Sequence, residues 1–153
     1  MDNRRAAERS PGRFDAFHLA HERGTLTGVV DAANLSRVED RLVENPAPIE
    51  WRIAGATDAM GRPALKLAID GEVVLECQRC LGPLKWPLAE RTELLLARSD
   101  AETARLDEES DAEVLLAAAP LDPLALIEDE LLLALPFAAR HPEGECTPPA
   151  TGA

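Results

Sequence analysis

The sequence predicts an α+β protein: an antiparallel β-meander packed by two or three short helices, with barrel-like closure of the meander left open. Three observations carry this. Between Pro48 and Arg98, apolar and polar residues alternate with the period of half-buried strands. The links inside that stretch are too short for crossover helices, so neighbouring strands pair antiparallel. On either side, apolar residues recur at three- and four-residue spacings, the pattern of an amphipathic helix.

The elements follow in order. Residues 1–13 (MDNRRAAERSPGR) are polar and Arg-rich and are expected to form a flexible tail. Phe14, Phe17 and His21 fall at i, i+3 and i+7, which predicts a short helix. Leu26 to Val30 is a short extended segment. Asn34-Leu35-Ser36 offers N-cap residues, and Leu35, Val38 and Leu42 share one face of a helix expected to stop before Pro46. Ile49, Trp51 and Ile53 alternate with Glu50 and Arg52, and Leu65, Leu67 and Ile69 alternate again. Asp70-Gly71 has the composition of a two-residue hairpin turn, with Val73 to Cys77 as the returning strand. Cys80-Leu81-Gly82-Pro83 turns the chain once more. Leu84, Trp86 and Leu88 alternate in the next strand, where Pro87 marks an edge or a bulge, and Glu93 to Arg98 continues it. Ser99 to Glu113 is acidic and poor in large apolar residues, which predicts an exposed loop or frayed helix. Val114 to Ala118 is a further strand. Asp122-Pro123 opens a helix, since Asp caps well and Pro suits the first helical position. Leu124, Ile127, Leu131 and Leu135 lie on one face, and Pro136 ends it. The expected domain is residues 14–143, with a Pro/Gly/Thr-rich flexible tail over 144–153.

A chain of 153 residues can bury roughly 70% of its extended surface, so it needs neither disulfide nor metal to own a core. The apolar stretch near the C-terminus, Leu131 to Phe137 and on to Arg140, is far short of the roughly 20 residues of a membrane span. The absence of an apolar leader and the three cysteines point to a reducing cytoplasm. The net charge of −12 is uneven: residues 1–98 hold 14 basic and 15 acidic side chains, residues 99–153 hold 2 and 13. Phosphate would be repelled by the acidic third, so a tight unaided RNA clamp is disfavoured and a basic protein partner is accommodated. There are only three Phe and two Trp and no Tyr, too few for a general base-stacking platform, and Trp51 and Trp86 are expected in the core or in cross-strand pairs.

The sharpest chemical feature is Cys77-Gln78-Arg79-Cys80. Two thiols three residues apart before a Gly-Pro turn can supply half of a tetrahedral zinc site. The other half must come from Cys146, the remaining cysteine, and His141. Such a site would staple the sheet to the exit of the last helix. The alternatives are reduced cysteines packed at a hairpin end, and a thiol redox pair; the latter lacks the helix N-terminus that normally lowers a reactive thiol's pKa. Glu128, Asp129 and Glu130 point about 100° apart on a helix and are expected to be a solvated face rather than a converging site. His18 and His21 are expected on the surface. No phosphate-binding Gly loop, nucleophile elbow or H-E-x-x-H occurs.

The blocks VVLECQRCLGPL and LDPLALIEDELLLALPFAARH, followed by Cys146, resemble the YceD family, described as large ribosomal RNA subunit accumulation proteins. The resemblance covers roughly residues 14–146. It implies a cytoplasmic, non-enzymatic role in making or keeping 23S ribosomal RNA, with large-subunit assembly components as partners, a basic ribosomal protein or RNA-processing factor among them. The matched motif positions are Cys77, Arg79, Cys80 and Leu81, with Glu130, Leu133 and Pro136 as matched structural positions. Family members with further C-terminal cysteines suggest a metal-binding knuckle, for which this chain offers His141 and Cys146.

Overall fold

The computed structural model describes residues 12–43 and 48–146. Five strands form one open sheet: β1 (Thr25–Val30), β2 (Ile49–Thr57), β3 (Pro63–Glu76), β4 (Pro83–Ala97) and β5 (Glu113–Leu116), side by side in chain order. The first four pair antiparallel; β5 lies parallel to β4. Four α-helices accompany them among the described residues: α1 (Ala16–Glu22), α2 (Ser36–Glu39), α3 (Asp100–Glu109) and α4 (Pro123–Ala134). The fold is α+β as expected, but the sheet is not closed into a barrel and its last pair is not a meander. A strand parallel to its neighbour requires a crossover between the two, and α3 lies in it.

The Asp70-Gly71 hairpin does not form. Both residues continue β3, with Asp70 opposite Ala89 and Gly71 opposite Leu88. The alternation explains why. Leu65, Leu67, Ile69, Val73, Leu75 and Cys77 are all odd-numbered and all buried on one face. A two-residue turn at 70–71 would place residue 72 opposite 69 and 74 opposite 67. That would turn Glu72 and Glu76 inward and Val73 and Leu75 outward. One continuous strand keeps the apolar set together, and the reversal is made at Cys77–Gly82 instead.

The inner face of the sheet carries the main core, including Ile49, Ile53, Leu65, Ile69, Val73, Ile127 and Leu131, each at most 1% exposed. A smaller cluster of Ala64, Leu95, Ala97 and Leu106 lies under α3 on the other face. Leu94 to Ala97 is therefore buried on both faces, as a strand flanked by two layers must be.

The early helices differ from expectation. In α1, Ala16 and Ala20 face inward and His21 is exposed, while Phe14 lies outside the helix and bridges to Leu121. The small residues are needed because α1 presses its backbone against Gly55: a Cβ there would lie 2.0 Å from the Leu19 carbonyl oxygen. The helix predicted over Leu35–Leu42 shrinks to a 3-10 turn (Ala32–Asn34) and the single turn of α2. Leu35 and Val38 are buried and Leu42 half-buried, so the face is the expected one. Asp31 caps the 3-10 turn by accepting from the Ala33 N–H at 3.0 Å, and the N-cap of α2 is Leu35, with no side-chain cap bond, so neither Asn34 nor Ser36 serves as a cap. The helix stops early because the Val43 N–H donates to the Val74 carbonyl at 3.0 Å, drawing the chain toward the sheet; Pro46 lies outside the described residues. Ser99–Glu113 is not frayed: it is a capped helix over Asp100–Glu109 with a short link, residues 110–112, to β5. Ser99 caps α3 by accepting from the Glu102 N–H at 3.1 Å, and Leu106 anchors the helix at 5% exposure. Pro87 does sit at an edge: over Pro83–Glu93, β4 pairs with β3 alone. Helix α4 begins at its Asp122 cap with Pro123 in the first turn and ends before Pro136. Residues 1–11 and 147–153, most of the two expected tails, lie outside the described residues.

Candidate metal centre

The β3–β4 turn builds the first half of the site. The Cys77 N–H donates to the Gly82 carbonyl at 2.9 Å and the Leu81 N–H returns to the Cys77 carbonyl at 2.8 Å, with Leu81 in the left-handed region at φ 63°. This closed loop aims the backbone N–H groups of Arg79 and Cys80 at the Cys77 sulfur. The second half arrives from the end of α4. The Gln78 N–H donates to the Ala139 carbonyl at 2.8 Å, which lays the exit chain across the turn. The His141 N–H then donates to Cys77 Sγ at 3.4 Å.

Cys77, Cys80, His141 and Cys146 come together there, with all four ligand atoms within 4.8 Å of one another. Cys77 Sγ and Cys146 Sγ are 3.7 Å apart, and Cys80 Sγ is 3.5 Å from His141 Nδ1. Tetrahedral zinc with bonds of about 2.3 Å to sulfur and about 2.0 Å to nitrogen separates two sulfurs by about 3.8 Å and sulfur from nitrogen by about 3.5 Å. The two spacings fit a Cys₃His zinc site. His141 is also oriented for it. Its Nε2 is 3.1 Å from the Pro83 carbonyl, which can only accept, so Nε2 carries the proton and Nδ1 presents its lone pair to the cluster.

The electrostatics agree. Burial alone would push the Cys77 thiol up, but the N–H groups of Cys80, His141 and Arg79 bring it down to about 5. Cys146 moves the other way: burial raises it, and the sulfurs of Cys77 and Cys80 raise it further by hydrogen bonding and charge. Cys77 is 0% exposed and lies beside two more sulfurs, a donor set that suits a soft divalent cation. Of the three thiols only Cys77 is sealed; Cys80 and Cys146 are half-buried.

The remaining singled-out residues lie elsewhere. Arg79 and Leu81 are on the exposed rim of the turn, Leu133 is 72% exposed on α4, and the Pro136 carbonyl accepts from Arg41 at 2.6 Å. The acidic trio is not a solvated face. Glu128 and Glu130 are both 9% exposed, and only Asp129 is open. Glu128 accepts from the Arg37 N–H at 3.0 Å and Nε at 3.1 Å, while Asp129 accepts from the same guanidinium at 2.7 Å. Two adjacent carboxylates thus converge on one arginine, which ties α2 to α4. Glu130 turns toward Thr92 and Glu113; burial first, then the Glu113 charge, hold its carboxyl above the usual range. His18 is exposed and pairs with Glu22 at 3.1 Å. Trp51 is core, at 4% exposure, with its ring over Gly28 of the neighbouring strand, and Trp86 packs half-buried against the core.

Sequence reasoning missed the roles of Arg37 and of the Pro83 carbonyl. No local signal marks either, because both act through partners more than 50 residues away. No helix among the described residues is long and apolar enough to cross a membrane. A search of solved structures finds no match to the chain. A protein-family model, described as large ribosomal RNA subunit accumulation protein YceD, matches residues 65–153; it runs from within β3 through the Cys/His cluster, and the chain belongs to that family.

Proposed function

We propose that this protein is a non-enzymatic, cytoplasmic accessory factor of large-subunit assembly, required for 23S ribosomal RNA to accumulate. It acts through protein contacts, with a basic ribosomal protein or RNA-processing factor as its direct partner. The observation that carries the reading is the family match across residues 65–153, which takes in both motif blocks. The charge distribution supports the protein-contact mode, because the 11 surplus acidic groups in residues 99–153 attract Lys- and Arg-rich surfaces and repel phosphate. Cys77, Cys80, His141 and Cys146 would hold a zinc ion in a structural role. With four protein ligands the ion has no open position for substrate, so it supplies cross-linking and charge neutralisation rather than catalysis.

Deleting the gene tests the function. The expected outcome is a lowered 23S-to-16S ribosomal RNA ratio and a deficit of large subunits in a sucrose gradient, restored by the wild-type gene. A normal ratio and profile would refute it.

A further inference from the structure

Of the five strands only β1, Thr25-Leu26-Thr27-Gly28-Val29-Val30, has no charged residue. It is also an edge, paired with β2 alone. The register shows which of its backbone groups are used. The Gly55 N–H donates to the Gly24 carbonyl at 2.8 Å, so 24 and 55 are a hydrogen-bonded pair. Such pairs recur at every second residue of an antiparallel ladder, which makes Leu26–Ile53, Gly28–Trp51 and Val30–Ile49 the others. Thr25, Thr27 and Val29 therefore direct their N–H and C=O groups off the free edge, where no described residue receives them. Proteins guard such edges with lysines, prolines or bulges. Strand β4 carries Lys85 and Pro87 where it is open, whereas β1 has neither residue type and an unbroken register.

We infer that β1 pairs with β1 of a second copy of this chain, antiparallel about a two-fold axis at Thr27, so that two sheets become one. In this register Thr27 faces itself and Thr25 faces Val29 of the other copy, and all three outward residues exchange both bonds, six in all. The outer-face pairs are then β-branched throughout. On the inner face the half-buried Leu26 comes opposite Gly28 of the other copy, where the Trp51 ring fills the space a side chain would take. Charge selects the same arrangement. Arg23 precedes the strand and Asp31 follows it, so antiparallel pairing brings each Arg23 to the end that carries the other copy's Asp31, while parallel pairing would set like against like. The acidic α3 lies over β4 at the far side of the sheet. Joined at β1, the two β5 strands stand nine strand spacings of about 4.8 Å apart, roughly 40 Å, which is several screening lengths of about 8 Å. The net charge of −12 therefore does not oppose this contact. One pair of six-residue strands is smaller than a standard interface, so the dimer forms in roughly the micromolar range.

Sedimentation velocity of the full chain from about 5 to about 500 µM tests it, with a monomer-to-dimer shift across that range as the expected result. Thr27→Pro deletes an outward N–H that β2 does not use, and Thr27→Lys sets two like charges face to face at the axis. Each is expected to weaken association at least about tenfold. Thermal unfolding checks that the fold survives; Thr27 is exposed, so Thr27→Lys decides the matter if the proline variant melts early. Leu116→Lys puts the same charge on β5, at the opposite edge, and is expected to leave association within about twofold. A chain that stays monomeric throughout the range would overturn the inference. So would a dimer that Thr27→Lys leaves intact, or one that Leu116→Lys disrupts as strongly.

Discussion

Gly55→Ala removes no group and adds one methyl, yet the structure predicts a large effect. The added Cβ would lie 2.0 Å from the Leu19 carbonyl oxygen, 2.4 Å from its carbon and 2.7 Å from the Ala20 Cα. All three are backbone atoms, so no side chain can rotate away. Ordinary contact begins at 3.4 Å, and α1 must therefore withdraw by about 1.4 Å. Ala16 and Ala20, each 1% exposed, would lose contact with the sheet over that gap, and a gap of 0.5–1 Å already forfeits a quarter to a half of a dispersion well. The expected cost is about 2–3 kcal/mol, the upper part of the overpacking range. For a chain of this size that lowers Tm by roughly 5–10 °C. Thermal unfolding by circular dichroism measures it, and hydrogen exchange should rise across residues 16–22. Gly61→Ala is the control. Nothing lies within 4 Å of its Cβ, but its φ of +80° strains any side chain, so it should lose only about 1 kcal/mol and leave α1 exchange unchanged. A Gly55→Ala protein melting within about 1 °C of wild type would refute the close seating of α1 on β2.

The purified chain should carry one zinc ion by elemental analysis, and Cys80→Ser or His141→Ala should lose it, with faster exchange across residues 137–146; full stability and protection in chelator-treated protein would count against a metal staple. Arg37→Ala should lower the urea midpoint, because Glu128 loses its Nε partner while its side chain stays 12% exposed; no change would mean that the α2–α4 tie is idle. Glu130 has a raised pKa, so its contribution to stability is fully present below the ordinary glutamate value and is lost as pH rises through the raised one. Glu130→Gln should therefore gain on wild type in urea midpoints as pH rises from below the ordinary glutamate value through the raised one, and a pH-independent difference would contradict the burial of that carboxylate.

Residues acting through chain neighbours were legible from the start. The Asp122-Pro123 start of α4, the alternation in β2 and the reversal at Cys80-Leu81-Gly82-Pro83 depend on local capping, period and turn chemistry, and the structure keeps them. The four residues that cluster were also visible as candidates, because the chain offers no others of that kind once the early histidines are set aside. The Asp70-Gly71 turn misled because dipeptide composition speaks louder than parity when read locally. The odd-numbered run from Leu65 to Cys77 already contained the objection, since a turn at that place would have buried Glu72 and Glu76. What remained invisible depends on which surfaces meet. Composition alone could not tell that Glu128 and Glu130 would be covered, since an acid on a helix is exposed or buried according to what packs over it. Nor could it tell that β5 would run parallel to β4, which the crossover through α3 decides. Above all, the sequence supplied metal-binding atoms, but a residue pair 60 positions from its partners has no local force to join it. Only the packing of α4 on the sheet, which delivers Ala139 and His141 across the β3–β4 turn, gathers those atoms within 4.8 Å of one another.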